Sequence, residues 1–136
     1  MRKKSASIFS NEINQFLRTL NGKTAYLEFD PAYASSGNTE RGELLAYVFY
    51  LTPSGGIDFS RMRGAAATQV LVAEGFQQNA QGQVQVKMTP HIKIMLNAEL
   101  LQKGYGRVDA SKPLRYMRDL QLAESEAQID KAGIWE

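Results

Sequence analysis

The chain switches between two hydrophobic periods. Phe9, Ile13, Phe16, Leu17 and Leu20 recur at helical spacing, which predicts an amphipathic helix capped by Ser10 and ended by Asn21-Gly22. The period then drops to two. In KTAYLEFD, Ala25, Leu27 and Phe29 fall on one side, and Thr24, Tyr26 and Glu28 on the other, a strand that Pro31 terminates. A polar loop, PAYASSGNTERG, leads into LLAYVFYL, whose β-branched, aromatic and aliphatic run predicts a buried strand antiparallel to the first.

After the turn TPSGG the pattern is mixed. RMRGAAATQVLVAEGF fits both periods, whereas GQVQVKM alternates, with Val84, Val86 and Met88 on one face and Gln83, Gln85 and Lys87 on the other. HIKIML is a further strand-like run, and QQNAQG predicts a hairpin turn. In NAELLQKGYGRV, Asn97 is placed to cap a two-turn helix, with Glu99 in its first turn, Leu100 and Leu101 on its buried face, Lys103 in its last turn and Gly104 at its end. A helix this short exists only by packing on something else. The last helix is predicted from near Ser111, with Pro113 in its first turn, an inner stripe of Leu114, Met117, Leu120, Ala123 and Ala127, and Gly133 as its stop. Glu124, Glu126 and Asp130 then belong to its outer side.

Three strings, RGELLAYVFY, NAELLQKGYGRV and AESEAQIDKAGIW, occur in an order that resembles staphylococcal-nuclease-like domains. In that family a strand of the form YGRxLAYV is followed by NxxLVxxGxAxV and by a final helix reading LxxAExxAxxxxxGIW. The resemblance covers roughly residues 10–52 and 95–136. It implies an α+β fold, an OB-like β-barrel of the staphylococcal-nuclease type with three helices, incomplete or rebuilt by an insertion. The chain is then one domain, 1–136, with a family-atypical insertion at about 53–94, and that insertion is expected to supply the missing strands.

The resemblance also implies calcium-dependent phosphodiester hydrolysis, which needs clustered carboxylates for a hard cation and guanidinium groups on the phosphate. The family's metal-binding acids lie before its first helix, yet the nine residues before Ser10 contain no acid. Aligning GELLAYV on GRxLAYV puts Glu43 where the family carries its second catalytic arginine, and a carboxylate repels what a guanidinium would clamp. Arg41 lies two residues earlier. The family's nucleotide-flanking tyrosines fall on Ala110 and Lys112. No catalytic residue and no metal ligand is carried over, and calcium is expected only if the domain is an enzyme after all.

Composition narrows this only slightly. Sixteen basic and fourteen acidic residues give a net charge of +2, so a nucleic-acid surface must be local. Arg41, Arg61, Arg63, Lys103 and Arg107 are the candidate phosphate contacts, with Lys87, Lys93 and Arg2 to Lys4 as further cations and Tyr33, Tyr50 or Tyr105 as stacking rings. There are no cysteines, which removes disulfides and thiolate sites. The single histidine, His91, makes neither a triad nor a metal cluster. MRKKSASIFS has a basic start without the apolar stretch of an export signal, and no apolar run spans a bilayer, so a cytoplasmic, non-membrane protein is expected.

The expected function is a catalytically silent domain that binds DNA, RNA or a protein partner. Its rivals are a divergent nuclease using Asp58, Glu74 and Arg61 or Arg63, and a structural module that self-associates through exposed strand edges.

Overall fold

A computed structural model of the chain describes residues 6–30, 46–54, 64–111 and 113–136. Helix α1 (Ala6–Arg18) precedes strands β1 (Ala25–Phe29) and β2 (Ala46–Pro53), a 3-10 turn at Gly64–Ala66, strands β3 (Ala67–Gln78) and β4 (Val84–Met95), and helices α2 (Leu96–Gln102) and α3 (Met117–Ile129). The strands form one antiparallel sheet in the order β1-β2-β4-β3, curled into a half-barrel with three helices. This is the expected α+β, OB-like architecture, and two of its four strands come from the segment between the two resembling regions.

Ser10 does not cap α1. The helix begins at Ala6, so Ser10 lies inside it. The helix ends at Arg18, before the expected Asn21-Gly22, and Gly22 takes φ +86° in the turn that follows, the left-handed conformation that glycine adopts without steric cost. Strands β1 and β2 pair with Ala25 opposite Tyr50 and Phe29 opposite Ala46. Pro31, Leu44 and Leu45, which the sequence places at the ends of these strands, lie outside the described residues.

The ambiguous segment resolves into a long hairpin. Asn79 sets its turn, its Oδ1 accepting from the amides of Gln81 and Gln83 at 3.0 and 2.9 Å, while Gly82 supplies the positive φ. GQVQVKM and HIKIML are not separate strands. They join through Pro90 into the twelve residues of β4. Pro90 falls just past the last β2 partner, Pro53 opposite His91, so among the described residues only β3 pairs with it there and the sheet tolerates its missing N–H. A bulge between Ala73 and Gly75 interrupts β3.

Each face of the sheet has a core. Tyr47, Phe49 and Met95 pack under α2 and α3 with Ala98, Leu101, Leu120 and Ala123, and Tyr50, Ile92 and Ile94 pack on the opposite face with Leu20, Ala67 and Leu96. Ile92 and Met95 are fully buried, each worth about 1.5–3 kcal/mol relative to exposure.

Helix α3 starts at Met117 rather than near Ser111. Ser111 is held in a local turn, its backbone N–H and hydroxyl both bonded to Asp109 Oδ1, and the Arg115 amide donates to Asp30 at 2.8 Å. Leu114 still packs against the core, as the stripe requires.

Candidate nucleic-acid interface

The two acids at the end of β1, Glu28 and Asp30, are occupied by structural bonds. Asp30 is buried and accepts the Tyr47 hydroxyl as well as the Arg115 amide. Glu28 accepts from Arg115 Nη1 and from the Tyr116 hydroxyl, both at 2.6 Å. Glu28 and Asp30, with Arg115 and Tyr116, tie the end of β1 to the chain entering α3. Burial, and then the bond to Asp30, push the Tyr47 phenol up to about 12. The Tyr116 phenol is raised mainly by its bond to Glu28. Tyr47 and Tyr116 also stack edge to face, with centroids 4.7 Å apart, a geometry that adds to their area burial.

Glu99 accepts the Tyr50 hydroxyl at 2.6 Å. Burial raises its carboxyl pKa, a shift that Tyr50 and Lys103 partly oppose; Tyr50 is raised by burial and by Glu99. Glu124 is turned inward, contrary to the outer-face expectation: its Oε2 accepts the Val108 amide at 2.6 Å. Sequence periodicity could not show that a loop amide would need this acceptor.

Asn97 was expected to cap α2. Its side chain instead reaches the sheet, accepting from the Val48 amide at 2.8 Å and donating to the Ala46 carbonyl at 3.3 Å, while Met95 takes the cap position without a side-chain bond. Beyond Phe49 opposite Met95, β4 has turned into α2 and no longer pairs with β2. The carboxamide replaces the missing strand neighbour.

Among the described residues no three His, Asp or Glu side chains come together. Glu28 and Asp30, two residues apart, are bonded as above, and Glu124, two residues from Glu126, is bonded to Val108, so the described residues do not fit the calcium ion that the fold family implies. Glu74, a candidate of the nuclease reading, lies 3.9 Å from His91 Nε2; Asp58 lies outside the described residues.

The predicted cations divide. Arg41, Arg61 and Arg63 lie outside the described residues, as do Glu43, Tyr33 and Lys112. Lys103 and Arg107 are exposed on either side of the turn after α2, but each rests on a different ring: Lys103 Nζ is 4.8 Å from the Phe16 centroid and the Arg107 guanidinium 5.0 Å from that of Trp135. Tyr50 is unavailable for stacking because it is buried, and Tyr105 contacts Phe16.

A different group is assembled on the sheet itself. Lys93 stands 4.5 Å over the Phe49 ring and borders an open groove of about 370 Å³ with Tyr26, Leu51, Val70 and Val72. Alternation places Lys87 on the same face of β4 as Lys93. Tyr26 remains 46% exposed, enough ring to stack on. The signal for Tyr26 was its position in β1 opposite Leu27, but only the register, Tyr26 to Phe49, brings it toward Lys93.

Among the described residues no helix is long and apolar enough to cross a membrane. A family model described as staphylococcal nuclease homologue matches residues 61–136. No curated protein and no solved structure matches the chain.

Proposed function

The chain belongs to the staphylococcal nuclease homologue family, and on that premise we propose that it is a catalytically silent member that binds single-stranded nucleic acid across the open face of its sheet. The observation that carries this reading is the groove in which Lys93 and Tyr26 stand together over an apolar floor. An ammonium tracks the phosphate backbone, and an exposed ring stacks on any base, which gives sequence-tolerant binding on an OB-like sheet. Lys87 extends the cationic row. Lys103, Arg107, Arg41, Arg61 and Arg63 are further phosphate contacts to be tested beside it. Silence is supported by four of the described acids: Glu28, Asp30, Glu99 and Glu124 serve as internal hydrogen-bond acceptors.

Fluorescence anisotropy with labelled single-stranded DNA and RNA over a salt series tests the reading. Binding should weaken linearly in logarithmic salt. Lys93→Ala should reduce that slope by about 1, and Tyr26→Ala should cost roughly 1–3 kcal/mol at every salt concentration. Absence of salt-sensitive binding in a folded protein would refute the interface. Calcium-dependent cleavage of the same oligonucleotide would refute silence, and its loss in Asp58→Ala or Arg63→Ala would locate the chemistry.

A further inference from the structure

The sheet face opposite the groove continues beyond its core as an uncovered apolar surface. Along β4, Val84, Val86 and Met88 lie on the same face as the buried Ile92 and Ile94, and the register places Phe76 opposite Val86 and Leu71 opposite Pro90. Leu71 is 63%, Phe76 78%, Val84 61%, Val86 52% and Met88 48% exposed. From Leu71 to Pro90 no residue on this face is charged. The charged side chains Glu74, Lys87 and His91 are directed to the other side, where Glu74 and His91 meet.

We infer that the β3–β4 hairpin is a homodimer arm, and that two copies of the chain pack these apolar faces against each other about a two-fold axis. The chemistry of the face selects the partner. With no charge on it, it offers nothing to a phosphate backbone or to a charged peptide, and it can meet its own copy without like-charge repulsion. Its size agrees. With roughly 150–250 Å² for the Phe76 ring and somewhat less for each aliphatic side chain, five that stand half to four-fifths exposed present on the order of 500 Å² per copy. Two copies then bury on the order of 1,000 Å², the lower bound for a specific interface. A lone patch of this extent lies at the top of the range for monomers. The inference does not rest on nucleic-acid binding: the two surfaces lie on opposite faces of the sheet and meet only along β3, where Leu71 and Ala73 also border the groove.

Sedimentation equilibrium of the full chain tests it. The native protein should move from one to two chains as concentration rises. Val86→Lys and Val86→Glu should each weaken association by roughly tenfold or more, and an equimolar mixture of the two should recover it, because opposite charges now face each other. Lys87→Glu, on the other side of β4, should leave the dimer unchanged. A native circular-dichroism spectrum and cooperative unfolding certify each variant as folded, since loss of the dimer by itself lowers the melting temperature, and Phe76→Gln replaces any that does not fold. A native chain that stays monomeric at high concentration overturns the inference. So does a dimer that survives both Val86 charges, or a mixture that fails to recover association.

Discussion

The Asn97 bridge offers the sharpest test of how this sheet is held. Asn97→Ala removes an acceptor from the Val48 amide and a donor from the Ala46 carbonyl, at a place where β4 no longer supplies ladder partners. A buried backbone group left without a partner costs about 1–3 kcal/mol. Val48 and Ala46 are half-buried, so water recovers part of that cost, and about 2 kcal/mol is expected for the pair. For a domain of this size the melting temperature should fall by about 6–10 °C. The loss is a large share of the roughly 5–15 kcal/mol that holds such a domain together. Urea unfolding gives the free energy, and hydrogen exchange gives its location: the Val48 amide should exchange faster in the variant while the Ile92 amide follows only the global change. Asn97→Asp separates the two bonds. It keeps an acceptor for Val48 but sets a negative oxygen against the Ala46 carbonyl, and should be no better than alanine. If Asn97→Ala costs under about 0.5 kcal/mol, within the range of an ordinary surface change, the carboxamide does not substitute for a strand.

Three further outcomes follow from the same structure. Glu99 has its carboxyl pKa raised above 4.5 by burial, so the fold holds that proton more tightly than the unfolded chain; the contribution is full below 4.5 and lost as pH rises through the shifted value. Glu99→Gln, which can still accept from Tyr50, should therefore match or exceed the native stability at neutral pH, with the difference shrinking toward pH 4, as paired urea titrations will show. Tyr47, with its pKa raised from 10.0 to about 12, gives stability that is whole below pH 10 and disappears between those values; tyrosinate absorbance should show phenols titrating late, and Tyr47→Phe should remove one of them. Gly104 takes φ +75° and a methyl there would overlap the Ala132 carbonyl, so Gly104→Ala should cost about 3 kcal/mol or more in thermal unfolding, whereas Gly82→Ala, at a turn whose nearest neighbour is a flexible Gln78 side chain, should cost less.

Much of the secondary structure was legible because it is written in local period. The alternation in KTAYLEFD and GQVQVKM gave the faces of β1 and β4 without reference to anything distant, and NAQG carried its own turn chemistry. Three strings in order carried the family resemblance, and the family model's match to residues 61–136 includes two of them. The misplaced helix starts have different causes. Ser10 lies inside a helix that begins earlier, Ser111 is taken up by a local turn with Asp109, and Asn97 is drawn to a strand edge 49 residues away, beyond the reach of any local pattern.

The sequence by itself determined which residues turn inward along each element, because apolar spacing at 2 or 3.6 residues follows from backbone geometry alone. Only the tertiary structure decided what lies opposite each face. Register brings Tyr26 beside Phe49 and Lys93 over it, the turn of β4 into α2 leaves β2 short of a neighbour and so gives Asn97 its task, and the fold covers Ile92 and Ile94 while leaving Val84, Val86 and Met88 of the same row open. Periodicity fixes the direction in which a side chain points, whereas burial and pairing depend on contacts between distant segments, which no local pattern contains.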